Sequence, residues 1–561
     1  MIYYYGISVP YWDQWDAEAP LFLKQHDGTL GWSDLFVQHN EHRIFFPGIL
    51  MIGLAGVTHW NIRLELLATW LLGCICSFNL WQISRSTGWK NSLLGVVLLM
   101  GANILLFSLL SYEDWLWGFQ IGFLLPLACM TASIWVVAST RAWIAFPSVF
   151  VLATICTFSI ASGIICWILV LPIVLFLNDQ FNWQARLVGS VLIFVGAVAC
   201  GCLYFHSFVK ADLHQNTALI LDQPLTTLQY FLTYLGAPLG HGTPIELTIA
   251  SPIAGAIMVA LFMGSMAYLG VFWCDLNLRA RILPWLLLAF ISVLNGTLTT
   301  IGRIGLGIAQ GTASRYIPWA SMLPIALLFL ATTIYLHARE RMPSGWARLL
   351  GFTVAFLLLA GIGLNLAGSF SILDSWKNFR EERLIARALV ETIHVVDRPE
   401  WVNVYIYPGN QYAADQCDKL DKIGYLHPAL LKSGLVDSLT SNQKFPDGAC
   451  GYLDEIVKTA DGKYNCRGWA VLPLKNKRAD VVLLTYDNDL GQPTIFDLVL
   501  AGFSRPDVAQ KFPAQNFLDS GFEAQMKATH LPTGTRIIRA WAFDAEDSVA
   551  YPLHGQSIIS N

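Results

Sequence analysis

Ten apolar runs, each close to the length of a bilayer crossing, dominate the first two-thirds of this chain. They fall at about 62–84, 92–110, 117–138, 143–158, 160–177, 185–206, 249–273, 282–300, 316–337 and 347–368. A helix rises ~1.5 Å per residue, so roughly 20 apolar residues cover the ~30 Å of hydrocarbon in a membrane. Backbone polar groups inside lipid must be satisfied within the segment, which makes helices the reading for runs of this length. Composition agrees, since 55% of the 561 residues are hydrophobic and only 13% are charged. That charged share is about half the ~25% of a soluble domain. The fold class expected is a polytopic α-helical membrane protein of about ten spans. The stretch 44–58 is shorter, contains Pro47 and ends at the polar His59–Asn61; it reads as a surface or re-entrant helix.

Loop charge then orients the spans. Arg85, Lys90, Arg141, Arg186, Arg279, Arg281, Arg339, Arg341 and Arg348 alternate onto one side, which the positive-inside rule makes cytoplasmic. The opposite side receives 1–43, 111–116, 207–248, 301–315 and everything after about 370. The N terminus falls outside with no leading span ahead of it, so a further span upstream of Met1 is expected. A net charge of −4 argues against a nucleic-acid partner.

Past residue 374 the character changes. Three regions are expected: a membrane domain over 1–373, an extracytoplasmic α/β linker over 374–445 and a β-sandwich over 446–561. The linker joins an amphipathic helix near Asn378–His394 to a Tyr-rich, strand-like WVNVYIYP. In the last region short β-type runs (RGWAVLP, DVVLLTY, TIFDLVL, RIIRAWAFD, SVAYPL) alternate with Gly, Pro, Asn and Asp, the pattern of a jelly-roll or immunoglobulin-like sandwich. Eight of the 11 cysteines sit in or beside apolar runs and read as small buried hydrophobes. Cys417 and Cys450 form the pair a disulfide would use in an extracytoplasmic setting.

The chemistry-bearing residues converge on the outer face. Ionisable groups beside a membrane interior are functional candidates by default. In VPYWDQWD, Asp13 and Asp16 lie beside Trp12 and Trp15, and a carboxylate in such partly dry surroundings can act as a general base. The run His39-Asn40-Glu41-His42-Arg43 is dense in donors and acceptors. His39 and His42, spaced i and i+3, would share a helix face and bind a metal, or else hydrogen-bond sugar hydroxyls or a phosphate with Arg43 as anion partner. Glu113 and Asp114 in the turn SYEDWLWG are hard oxygen ligands suited to Mg²⁺ or Mn²⁺. The loop IGRIGLGIAQGTASRY carries Arg303, Arg315 and Tyr316 among four glycines. Its two arginines defy the orientation rule, so a lipid phosphate, or Asp13 or Glu113, should compensate them. It lacks the lysine of a nucleotide-binding P-loop. Two further outer segments are read as secondary: a narrow turn at Phe158–Gly163, and PLTTLQYFLTYLG, an amphipathic piece expected to lie on the membrane near His206, Lys210 and His241.

Together the VPYWDQWD loop, the QHNEHR run and the GR…SRY loop, at Val9–Asp16, Gln38–Arg43 and Gly302–Tyr316, resemble the GT-C superfamily of integral membrane glycosyltransferases. The resemblance covers about residues 1–370 and is strongest toward bacterial members. It implies a polyprenyl-phosphate-sugar donor, a catalytic Asp in the first outer loop (Asp13 or Asp16), and an acidic pair in the second (Glu113, Asp114) that helps hold a metal. It also implies a cell-envelope glycan acceptor such as an O-antigen, an inner-membrane location and a site facing the periplasm. The C-terminal GWAVLP, RPDV, SGF and AWAFD are similar to β-sandwich modules appended to bacterial glycosyltransferases. An O-antigen ligase or polysaccharide polymerase would share the arginines without needing the N-terminal acids. A lipid-glycan transporter would call for pseudo-symmetric halves, and no internal repeat is evident.

Overall fold

The computed structural model describes residues 1–178, 181–209, 219–440, 443, 445–460, 463–512, 515–526 and 533–560. Its membrane half is built from α1 (Phe45–Thr58), α2 (Ile62–Ser84), α3 (Leu93–Leu106), α4 (Ile121–Ser139), α5 (Ala142–Thr157), α6 (Ile165–Phe176), α7 (Trp183–Phe205), α8 (Pro224–Gly240), α9 (Leu247–Val271), α10 (Leu276–Arg303), α11 (Met322–Ala338) and α12 (Ser344–Ser371). Every expected run is helical, but with their flanking turns 8 helical segments among the described residues are long and apolar enough to cross a membrane. The two runs that fall short are α5, with 16 residues, and α6, with 12. Sixteen residues rise only about 24 Å. The turn at Phe158–Gly163 divides what would otherwise be a longer apolar stretch.

Long apolar side chains face outward along the spans. Val191, Phe194 and Val195 on α7, and Phe352, Phe356 and Leu359 on α12, are exposed. A surface this apolar suits lipid and not water. The chain is a multi-pass helical membrane protein.

The PLTTLQYFLTYLG segment departs from expectation. It forms the start of α8, and Tyr230, Thr233, Tyr234 and Leu235 are all buried. Small residues explain the depth. A Cβ added at Gly236 would sit 1.8 Å from the Ser251 carbonyl oxygen, and one at Gly255 2.0 Å from that of Leu232. This backbone-to-backbone approach locks α8 against α9 in the manner of small-residue helix pairs in membranes. Lys210, named beside this segment, lies outside the described residues.

Beyond α12 the chain continues through α13 (Leu373–Glu391), α14 (Pro399–Tyr405) and α15 (Asn410–Lys422). The strand expected at WVNVYIYP is therefore helix α14: Pro399 occupies the first helical turn, a position that suits proline, and Val402 and Ile406 pack into the helical core. Between 374 and 445 the described residues form helices and two isolated bridges, Leu435 with Thr494 and Thr440 with Ala550.

The strands begin with a hairpin ahead of α1, β1 (Gln38–His39) and β2 (His42–Arg43). The rest are C-terminal: β3 (Gly451–Lys458), β4 (Tyr464–Leu472), β5 (Lys477–Arg478), β6 (Val481–Asp487), β7 (Pro493–Phe503), β8 (Gly521–Met526), β9 (Thr535–Asp544), β10 (Val549–Pro552) and β11 (Ser557–Ser560). These nine form one antiparallel sheet in the order β10-β9-β6-β7-β8-β4-β3, with β11 on β9 and β5 on β4. A single curled sheet, a half-barrel, thus stands where two packed sheets were expected. Its concave core joins Leu453, Tyr464 and Cys466 to Val482, Leu484, Ala540 and Ala542. The opposite faces of β6 and β9, with Val481, Leu483 and Phe543, share a core with Trp15, Phe22, Trp60, Trp376 and Leu389. Burial on both faces accounts for the unbroken apolar run DVVLLTY. Cys417 and Cys450 fall in separate cores, and all eleven cysteines are free; the expected disulfide is not formed.

Charge reinforces this docking. Glu546, in the turn after β9, accepts from Arg63 of α2 at 2.9 Å and from Arg380 of α13 at 2.6 Å. Arg398 grips the buried Asp497 of β7 through two contacts of 2.8 Å. A bidentate pair of this kind fixes orientation as well as contact. The N-terminal acidic loop is enclosed between the spans and the sheet domain.

Candidate active site

The acidic loop begins with a turn set by Trp12, whose φ is +47°, followed by a wide helical turn over Gln14–Glu18. Trp15 is fully buried and its indole N–H donates to the Pro10 carbonyl at 3.1 Å, anchoring the turn. Asp13 and Asp16 keep partial access to solvent on the other side. There His39 Nε2 lies 3.5 Å from Asp13 Oδ1. Tyr407, far away in sequence, donates its hydroxyl to Asp16 Oδ2 at 3.2 Å. Asp16 Oδ1 is buried and meets no hydrogen-bond partner from another described residue. Burial first, opposed by His39 and then assisted by the charge of Asp13, leaves the Asp16 carboxyl above its ordinary range. Burial works against a charged His39, yet the hydrogen bond and charge of Asp13, with Asp16 and Glu41 behind it, raise its imidazole overall.

Ligand atoms of Asp13, Asp16 and His39 all lie within 4.8 Å of one another. Two carboxylates and one imidazole form a donor set that suits Mn²⁺ and, less well, Mg²⁺. The unpartnered Asp16 oxygen fits that role. Glu113 and Asp114 do not form the expected cation site. Glu113 is spent on the arginine loop: Ser314 Oγ donates to its Oε2 at 2.6 Å, the Arg315 backbone N–H at 3.2 Å, and Arg315 Nη1 lies 3.4 Å from Oε1. Asp114 is fully buried, with neither carboxylate oxygen paired to another described residue.

QHNEHR is a tight hairpin and not a helical turn. Its two-residue loop is Asn40-Glu41, with Asn40 at φ +51°, a backbone region asparagine tolerates better than most residues. His39 and His42 pair directly across the strands, so their side chains share one face. His39 meets the acids and His42 turns into a neighbouring cavity. The Ala161 backbone N–H donates to His42 Nδ1 at 3.1 Å, and burial holds that imidazole down to about 4. It is neutral near pH 7. Arg43 is not an anion partner. Its guanidinium donates to the carbonyls of Phe36 at 2.5 Å, Tyr204 at 2.6 Å and His206 at 2.5 Å, pinning the hairpin to the end of α7.

The cavity beside the hairpin has a volume of about 290 Å³. Its lining is largely apolar, with Phe123, Leu298 and Trp319, and it carries the charged or polar groups of Glu41, His42, Thr299, Arg303 and Arg315. Arg303 is ion-paired with Glu41 Oε1. Asn295 also lines the cavity and accepts from Tyr234 of α8 at 2.6 Å and from Thr299 at 3.2 Å. Tyr316 is buried with its ring 5.7 Å from that of Tyr234, and Arg315 lies 5.3 Å above the Tyr316 ring.

No family, curated protein or solved structure matches the chain.

The structure brings Asp13, Asp16 and His39 together, and gathers Glu41, His42, Arg303, Arg315 and Tyr316 around the adjoining cavity. Asn40 forms the turn and its side-chain amide lies 3.1 Å from His39 Nε2. Three participants had no signal of their own in the sequence. Tyr407 reaches Asp16 from a segment read as a strand. Asn295 is a polar residue within the apolar helix α10. Glu65 of α2 meets the acidic loop, where Gln14 Nε2 donates to its Oε2 at 2.8 Å; the fully buried Glu18 also feels its charge. Burial, then the nearby Glu65, pushes Glu18 well above the carboxylate range against the opposing pull of Gln14 and Trp60.

Proposed function

We propose that this protein is a membrane glycosyltransferase moving a sugar from a polyprenyl-phosphate donor to a cell-envelope glycan or lipid acceptor on the extracytoplasmic face of a bacterial inner membrane. One observation carries the reading: a largely apolar cavity with Arg303 and Arg315 in its lining adjoins, across a single hairpin, a cluster of two carboxylates and an imidazole. An amphipathic phosphate ester fits the cavity, its lipid along Phe123, Leu298 and Trp319 and its phosphate toward the guanidinium groups.

Asp16 is the better base of the two acids. Asp13 is engaged by His39, whereas Asp16 keeps one oxygen unpartnered, and its raised proton affinity brings it closer to that of a useful base at neutral pH. In the reaction the acceptor hydroxyl gives its proton to Asp16 as its oxygen attacks the anomeric carbon. The bond from that carbon to the phosphate oxygen breaks, and the lipid phosphate leaves. Arg303 and Arg315 stabilise the charge gathering on it. Phosphate is a good leaving group, so positioning and charge stabilisation supply most of the acceleration. If Asp13, Asp16 and His39 instead held Mg²⁺ or Mn²⁺, the ion would supply Lewis-acid charge at the reacting centre, and Asp16 would then serve as a ligand and not as the base.

The test is sugar transfer from polyprenyl-phosphate sugars in proteoliposomes. Asp16→Asn should abolish transfer while donor binding persists, and Arg315→Ala should lose donor binding. Transfer that survives both Asp13→Asn and Asp16→Asn would sink the mechanism and favour a ligase or polymerase reading, in which the N-terminal acids are dispensable.

A further inference from the structure

The two arginines facing the cavity are both answered by carboxylates, in different ways. Glu113 binds Arg315 through its backbone N–H and its guanidinium, and binds Ser314 as well; it is part of the loop's own framework. Glu41 meets Arg303 through Oε1, an oxygen that also lies 3.6 Å from His42 Nε2. Glu41, His42 and Arg303 line one cavity, so this carboxylate projects into the space a ligand would fill.

The backbone carrying Glu41 is held from behind. Tyr204 donates its hydroxyl to the Glu41 carbonyl at 2.5 Å, and Arg43 ties the adjoining strand to three carbonyls. The carboxylate can therefore leave Arg303 by rotation of its own side chain while the hairpin backbone stays in place. A half-buried guanidinium facing an apolar cavity is costly to leave uncompensated, and a carboxylate is the simplest internal counter-ion.

We infer that Glu41 is the resident anion of Arg303 and that a lipid phosphate binds by taking its place. The inference rests on the donor reading of the cavity. It assigns Glu41 a role in selection: a neutral prenyl lipid cannot displace a carboxylate from a guanidinium, whereas an anionic phosphate ester can, whether the singly charged diester of the sugar donor or the doubly charged monoester left after transfer. Wild-type affinity is accordingly weaker than the bare site would give, because part of the binding free energy is used to displace Glu41.

The experiment is calorimetric titration of the purified full chain with farnesyl phosphate, and with farnesol as the uncharged control. Glu41→Gln should bind farnesyl phosphate about tenfold more tightly than wild type, equivalent to about 1.4 kcal/mol, with farnesol unchanged. Glu41→Asp keeps the charge but withdraws it by one methylene, and should fall between the two. Arg303→Ala should weaken farnesyl phosphate binding, and in that background Glu41→Gln should have no further effect, since its partner is gone. Unchanged or weaker binding by both folded Glu41 variants, with Arg303→Ala still defective, would overturn the exchange and leave the donor site standing. Wild-type binding by both Arg303→Ala and Arg315→Ala would remove the donor site itself, and the exchange with it.

Discussion

Two pairs of acids meet at the N-terminal acidic loop, Asp13 with Asp16 and Glu18 with Glu65 of α2, and their surroundings could hardly differ more. Asp13 and Asp16 stay partly open to solvent, grouped with His39 and Tyr407. Glu18 is turned inward against Glu65, Gln14 and Trp60. The side chains have the same chemistry. The outward pair keeps access to solvent and a neighbouring cavity, while the inward pair is buried, with both Glu18 oxygens and Glu65 Oε1 unpaired to any other described residue. On the proposed reading the outward pair serves the reaction and the inward pair the shape of the loop. Gln14, donating to Glu65 Oε2, is the contact that ties the turn to α2, and acids buried with so few partners favour their neutral form.

The sharpest way to break this contrast is to neutralise one acid from each pair. Asp16→Asn should reduce sugar transfer by about 10²–10⁴-fold, the range expected for a lost general base, with thermal stability close to wild type. Glu18→Gln keeps a hydrogen-bonding group of the same size in the buried pair and should leave transfer within a few-fold of wild type. Reversal of that order in the proteoliposome assay would show that the inward pair performs the chemistry.

A smaller effect separates holding from reacting. Glu65→Leu strands the Gln14 side-chain amide, which now donates to Glu65 at 2.8 Å. An unpaired buried donor costs about 1–3 kcal/mol, so thermal unfolding should begin several degrees lower. Transfer by the folded fraction at low temperature should survive. Equal loss of transfer and of stability across temperatures would mean that the two pairs work as one unit.

How much of this was legible in the sequence follows from the range of each interaction. Apolar run length is a local property, and each expected span is a helix; α5 and α6 fell short because the turn at Phe158–Gly163 and their own length limit them. The chemistry of the outer loops was legible as residue types, and Arg315 with Glu113 was among the pairings open from the start. Partner choice was not. The i, i+3 spacing of His39 and His42 fits a helix as well as a hairpin, and only the left-handed Asn40 decides. Arg43 looked like an anion ligand because three backbone carbonyls, two of them at the far end of α7, leave no mark in sequence. WVNVYIYP reads as a strand by propensity, and packing against α13 and α15 overrode it. The half-barrel replaced a sandwich because strand-forming runs specify strands and not how the sheet closes.

The finest distinction between the pairs lies in how stability depends on pH. Glu18 holds its proton far more tightly in the folded protein than the ~4.5 of a free glutamate, because burial and Glu65 penalise the carboxylate. Above that value the unfolded chain has released a proton that the folded chain retains, so ν_U is smaller than ν_N and stability falls as pH rises. Below it both states are protonated and the penalty vanishes. Glu18→Gln has no proton to release, so its stability should match wild type near pH 4 and exceed it increasingly toward pH 8. Asp16→Asn should flatten the slope less, since that carboxyl is raised more modestly and Tyr407 and His39 still favour its charged form. Thermal melts of the two variants across this range decide the matter. A wild-type slope retained in Glu18→Gln would mean that the buried pair titrates as it does in the unfolded chain, and the contrast between outward and inward acids would then rest on the transfer data alone.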